Sequence, residues 1–168
     1  MSRIDSKCAV FQTQADLETY KLNMNKSNFK CALVHPNAKC PERKSIYAAG
    51  FDLYACKSVS IPPSTRKLVS TGIKLQIARD CYARVAPRSG LAVLGVDVGA
   101  GVIDSDYRGI VKVLIINNKD TDFQIDQGDR IAQLILEKIY NEDFSIVNED
   151  ELEDTERGQG GFGSTGSN

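Results

Sequence analysis

What most restricts the fold of this chain is a period of two. Ile73, Leu75 and Ile77 alternate with Lys74 and Gln76, while Phe123 and Ile125 alternate with Asp122, Gln124 and Asp126. Successive side chains of an extended strand point to opposite faces, so this alternation describes strands with one buried and one wet face. Two further runs, 109–117 (GIVKVLIIN) and 131–140 (IAQLILEKIY), are β-branched and nearly continuous, as strands covered on both faces would be. Turn formers punctuate them: Pro62-Pro63, Pro87-Arg88-Ser89-Gly90, Asn117-Asn118 and Gln127-Gly128-Asp129. Short strands spaced by about 8–12 residues predict an all-β sandwich or barrel. No βαβ rhythm interrupts them, and the single helix expected is short, beginning near Ser89.

At 168 residues the chain makes one domain, able to bury roughly two thirds of its unfolded surface without disulfide or metal staples. Residues 1–28 are polar, lack a sustained period and read as a loosely attached arm, with a short helix over Asp16 to Asn28 as the alternative. The β-domain is expected over 29–148. Beyond it, residues 149–156 carry six acids in eight positions, and residues 157–166 (RGQGGFGSTG) are rich in glycine. This tail, 149–168, has too little apolar surface to fold alone and reads as a mobile strap. Its two large contact groups are Arg157 and Phe162.

Charge and composition exclude several classes. Lys and Arg number 21 against 22 Asp and Glu, for a net charge of -1, which argues against nucleic acid or an anionic membrane as the main partner. The longest strictly apolar runs, such as Val113–Ile116, have four members, whereas a membrane span needs roughly 18. No apolar leader opens the sequence. Five cysteines without repeating spacing fit free thiols in a reducing, intracellular compartment, cytoplasmic or nuclear. No G-x-x-x-x-G-K-[ST] loop occurs. Gly158-x-Gly160-x-x-Gly163 has the spacing of a dinucleotide loop but neither the strand before it nor the helix after it. The only histidine, His35, sits in Cys31-x3-His35-x4-Cys40, which lacks a CxxC pair and a fourth zinc ligand. Acid–base work at neutral pH therefore falls to a carboxylate, a tyrosine or a bound water.

Two segments have both a plain and a chemical reading. Asp104-Ser105-Asp106-Tyr107-Arg108-Gly109 is a hairpin tip by composition. Yet Gly99 and Gly101 just before it let a ligand approach the backbone, where N–H and C=O groups match the Watson–Crick edge of a pyrimidine. Pro87-Arg88-Ser89-Gly90 is a turn, or an anion site where a guanidinium, a hydroxyl and helix-start amides converge on phosphate.

Together these segments closely resemble the five ordered motifs of the trimeric dUTP pyrophosphatase (dUTPase) family. The motifs are 49–55 (AGFDLYA), 83–92 (ARVAPRSGLA), 101–109 (GVIDSDYRG), 128–135 (GDRIAQLI) and 157–166. The resemblance runs from about Cys31 to the end. It implies a distorted jelly roll assembled as a homotrimer, with three active sites shared between subunits: one chain supplies phosphate motifs, a second the uracil hairpin, a third its tail. It implies hydrolysis of dUTP to dUMP and pyrophosphate with Mg²⁺. By family position Asp104 is the catalytic base. Arg88, Ser89, Gly90 and Gln133 bind phosphates, while Gly99, Gly101, Val102 and Ile103 read uracil. Tyr107 packs on deoxyribose, Phe162 with Gly163 covers the base, and Arg157 neutralises the terminal phosphates. Asp52 is expected at most in the outer shell of the metal. Three departures from the usual pattern are Ala83, Lys112 and Gln159, none of them a named catalytic group. A dCTP deaminase-like relative and a nucleotide-binding regulatory module of the same fold are the alternatives.

Overall fold

Eleven strands and one short α-helix make up the regular structure of residues 29–160, the part of the chain that the computed structural model describes, apart from a 3-10 turn at Glu149–Glu151. The expected arm, residues 1–28, lies outside the described residues, as do Phe162 and Gly163. In chain order the elements are β1 (Lys30–Leu33), β2 (Gly50–Tyr54), β3 (Val59–Ile61), β4 (Thr65–Ser70), β5 (Ile73–Gln76), β6 (Cys81–Ala86), α1 (Ser89–Val93), β7 (Val96–Gly99), β8 (Val102–Ile103), β9 (Lys112–Asn117), β10 (Phe123–Ile125) and β11 (Arg130–Lys138). The fold is all-β. No described helix is long and apolar enough to cross a membrane.

Two larger sheets, β2-β11-β6-β8 and β4-β9-β7, are flanked by the pairs β1-β5 and β3-β10, all antiparallel. The core lies between the larger sheets, where Leu53, Ala83, Val85 and Leu134 of one meet Val69, Val96, Val113 and Ile115 of the other. Each such aliphatic side chain contributes about 1.5–3 kcal/mol by leaving water. The alternation read at 73–77 is realised: Ile73, Leu75 and Ile77 are buried, Lys74 and Gln76 exposed. The short helix begins at Ser89 as expected.

The continuous runs behave differently from the expectation of two covered faces. Along β9, Val113 and Ile115 are buried but Leu114 and Ile116 only half-buried, and along β11 Ile135 and Leu136 are likewise half-buried. One face of each strand meets the core of this chain and the other remains partly open. An unbroken apolar run does not tell cover supplied by the same chain from cover supplied by another.

Asn117, which ends the 109–117 run and also stands among the turn formers, is the last residue of β9 and is completely buried. Its Nδ2 donates to the carbonyls of Ile61 (2.9 Å), Pro62 (3.1 Å) and Thr121 (2.9 Å), and its Oδ1 accepts from the Lys119 amide (3.1 Å). The side chain thus clamps the β3–β4 corner to the turn before β10. Asn117→Ala should cost about 2–4 kcal/mol because several buried backbone groups lose their partner at once. A clear drop in Tm at fixed protein concentration checks this; an unchanged Tm would contradict the clamp.

Candidate active site

The two larger sheets part company after Gly99. β7 pairs with β9 in one sheet, whereas β8 pairs with β6 in the other. The Gly99–Ile103 segment is therefore a corner between sheets, while β7 and β9, on either side of the expected 104–109 tip, pair antiparallel. Turning that corner requires left-handed backbone at Ala100 (φ 56°) and Gly101 (φ 110°). At Gly101 a side chain is excluded on two counts. Its positive φ strains any L side chain, and a Cβ there would fall 2.5 Å from the carbonyl oxygen of Val85, whose amide donates to the Gly101 carbonyl at 2.7 Å. Gly101→Ala should therefore destabilise the corner by about 1–3 kcal/mol and weaken nucleotide binding; thermal melting and equilibrium binding would reveal it.

The parting of the sheets leaves a cavity of about 400 Å³, within the usual range of small-ligand sites. Residues Gly99 to Asp104 line it together with Val85, Leu114 and Tyr107, as do Leu68 and Lys112. Five expected base- or sugar-contacting residues, Gly99, Gly101, Val102, Ile103 and Tyr107, thus meet at one site with Asp104. Tyr107 is held along the wall by its hydroxyl, which donates to the Ile110 carbonyl at 3.2 Å. Gly109 makes this placement feasible, since a Cβ there would lie 2.3 Å from the Tyr107 hydroxyl. Arg108 braces the tip by donating to the carbonyls of Ser105 (2.7 Å) and Tyr107 (2.9 Å).

A second cluster forms at one end of the four-stranded sheet. β6 ends at Ala86, Pro87 stops the ladder, and Arg88 enters α1 in extended conformation. Asp52 of β2 lies opposite Gln133 of β11, which lies opposite Ala86 of β6. The Arg88 Nε contacts Asp52 Oδ1 at 3.2 Å and the Arg130 Nη1 contacts Asp52 Oδ2 at 3.1 Å. Both oxygens of this carboxylate, whose side chain is 13% exposed, are thus engaged by guanidinium groups. Arg88 Nη1 also donates to the Arg130 carbonyl at 3.1 Å. Gln133 Nε2 donates to the Pro87 carbonyl at 2.9 Å, and Gly50 leaves it room, because a Cβ there would come within 2.6 Å of Gln133 Oε1. Around Gly90 nothing would obstruct even an added side chain, so the start of α1, with Ser89, is open to an incoming group.

Within one chain these clusters stay apart. Of Arg88, Ser89, Gly90, Gln133 and Arg157, none lines the cavity beside Asp104. Arg157 turns on itself, donating from Nε to the Gly160 carbonyl at 2.8 Å. Reading the sequence missed Arg130, Gly109 and Gly50. Arg130 stands inside the 128–135 motif and Gly109 ends the 101–109 motif, so spacing alone offered both. The service of Gly50 to Gln133 depends on strand register and has no local signal.

The chain is similar to known proteins over most of its length. The dUTPase family model matches residues 36–166. The chain is 51% identical over 142 residues to the deoxyuridine 5'-triphosphate nucleotidohydrolase of Yarrowia lipolytica, covering 84% of this chain and 90% of that one. It is 51% identical over 153 residues to the protein of the same name from Candida albicans, covering 90% and 96%. Among solved structures it is similar to the dUTPase of Staphylococcus bacteriophage 80alpha with dUpNHpp, at 26% identity and a TM-score of 0.78, covering 83% of this chain and 98% of that one.

Proposed function

The chain belongs to the dUTPase family, and from that premise we propose that it hydrolyses dUTP to dUMP and pyrophosphate, lowering dUTP and supplying dUMP for thymidylate synthesis. The observation that carries this reading is the cavity at the sheet corner, which combines glycine-opened backbone, Tyr107 and a single carboxylate, Asp104. Uracil would be read there by backbone groups of 99–103. Cytosine reverses donor and acceptor at position 4 and leaves buried partners unpaired, a large penalty. The methyl of thymine would press on the tight corner. Tyr107 would pack on deoxyribose and exclude a 2'-hydroxyl.

Asp104 would orient one water and take its proton as the oxygen bonds to the α-phosphorus. The bond from that phosphorus to the bridging oxygen breaks, and pyrophosphate leaves. Such general-base assistance is worth about 10²–10⁴-fold, with orientation and charge neutralisation supplying the rest. Arg88, Ser89, Gly90 and Gln133 would grip the phosphates, with Asp52 keeping the Arg88 guanidinium in place. Mg²⁺ suits a site of this kind because it prefers phosphate oxygens and water, and when bound it neutralises triphosphate charge. Asp52, already engaged by Arg88 and Arg130, would contribute at most to the outer shell of the ion.

The same reading includes a homotrimer with shared sites, the 149–168 tail closing over a neighbour. Two observations support it. The base cavity and the phosphate cluster are separate in one chain. Leu68, Val102, Phe144 and Ile146 are exposed apolar groups, the last two fully so, which a second chain would cover.

A dCTP deaminase-like relative would need a glutamate beside the base, and residues 96–107 (VDVGAGVIDSDY) carry none. Pyrophosphate release measured side by side for dUTP, dCTP, UTP and dTTP tests the proposal. A preference for dUTP of about a hundredfold or more is expected; equal rates, deamination or no turnover would reject it. Gly109→Ala should push the Tyr107 ring from its seat and erode dUTP-over-UTP discrimination by about tenfold, or roughly 1.4 kcal/mol. Unchanged discrimination would remove Tyr107 from sugar selection.

A further inference from the structure

We propose that Cys31 and Cys40 are an oxidation site, a dithiol that closes to an intramolecular disulfide when the protein meets hydrogen peroxide. The fold builds this pair from residues nine apart. Cys31 lies on β1 opposite Leu75 of β5. Past the strand, the Val34 amide donates to the Gly72 carbonyl at 2.9 Å and the chain reverses over 35–38, where the Ala38 amide reaches the His35 carbonyl at 3.0 Å. His35 tightens the same turn by accepting the Asn37 amide on Nδ1 at 3.2 Å. The turn is seated on Gly72, where a Cβ would fall 2.7 Å from the Cβ of His35 and 3.0 Å from that of Ala38. With the turn fixed, the irregular chain that returns from it sets Cys40 beside Cys31, and the two side chains share a hydrogen bond.

The pair differs in kind from Cys56 and Cys81, which are buried. Cys40 is exposed and opens onto a cavity of about 500 Å³ that Lys39, Lys44 and Arg130 also line. Peroxide therefore has access to Cys40, whose thiolate is favoured by the hydrogen bond from Cys31 against partial burial and the nearby Glu42 carboxylate. The S–H of Cys31 donates to Cys40 and brings the Cys40 thiol down to about 7, while Cys31 is pushed up by the same bond. The roles follow: Cys40 attacks first and Cys31 resolves.

In the first step the Cys40 thiolate bonds to one peroxide oxygen, the O–O bond breaks, and a sulfenic acid and water result once the proton is taken up. The Cys31 sulfur then attacks the Cys40 sulfur and expels the hydroxyl as a second water. Two thiols are oxidised to one disulfide while one peroxide is reduced to two waters.

The experiment treats the reduced full-length protein with hydrogen peroxide and digests it with trypsin without reductant. Peptides 31–39 and 40–43 should leave joined through sulfur, with two of the five thiols lost per chain and both recovered by dithiothreitol. In Cys31→Ser, which lacks the resolving thiol, Cys40 should proceed to the sulfinic acid. Sulfinic Cys40 beside reduced Cys31 in the natural protein would overturn the proposal, as would linkage of Cys40 to another chain. Reaction of Cys56 or Cys81 before either would do the same.

Discussion

Replacing Asp104 by asparagine is expected to slow dUTP turnover at least a hundredfold while leaving dUTP binding within a few-fold of the natural protein. The amide keeps the size and planarity of the carboxylate but cannot accept a proton from water. The backbone contact at this position, the Tyr107 amide on the Asp104 carbonyl at 3.1 Å, does not involve the side chain. The tip and the cavity should therefore survive the change. The readouts are pyrophosphate release under saturating dUTP and equilibrium binding of the nucleotide. Natural turnover in the variant would remove Asp104 as the base. Loss of binding together with turnover would recast it as a structural residue.

Deleting residues 157–168 should have an effect of similar size by a different route. The buried core runs from Leu53 to Leu134, and Arg157 lies outside it, being exposed and, among the described residues, bonded to its own turn. The shortened protein should thus fold and assemble like the full chain. What it loses is a guanidinium for the terminal phosphates and the aromatic cover expected from Phe162. Removing a single preorganised charge-stabilising donor costs about 10²–10³ in rate, and an unclosed site also admits water that weakens every remaining charge contact. Activity should collapse by about two orders of magnitude or more, with sedimentation behaviour unchanged. A monomeric or aggregated product would show that the tail holds the assembly together; full activity would show that it is no strap at all.

How much of this was legible in the sequence depends on the range of the interactions. The alternation of Ile73, Leu75 and Ile77 was readable because a strand with one wet face writes its geometry into adjacent residues. The 101–109 motif was readable because a tight corner demands glycine and turn formers within a few positions. The burial of Asn117 was not readable, for the opposite reason. Its local context is that of a turn, and its burial comes from carbonyls at Ile61 and Pro62, about fifty positions away. The Asp52 bridge between Arg88 and Arg130 was likewise invisible, since β2, α1 and β11 meet only after the sheet has formed. The pairing of β7 and β8 with different sheets, which opens the cavity, is a property of topology and has no signature in five consecutive residues.

The most direct measurement is a crystal structure of the full chain with Mg²⁺ and a dUTP analogue whose α–β bridging oxygen is replaced by NH. The expected result places uracil against the backbone of Gly99–Ile103 and deoxyribose on Tyr107. A water bound to the Asp104 carboxylate should stand about 3–3.5 Å from the α-phosphorus, in line with the bridging nitrogen. A nucleobase lodged elsewhere, or an Asp104 carboxylate with no water between it and the phosphorus, would contradict the account.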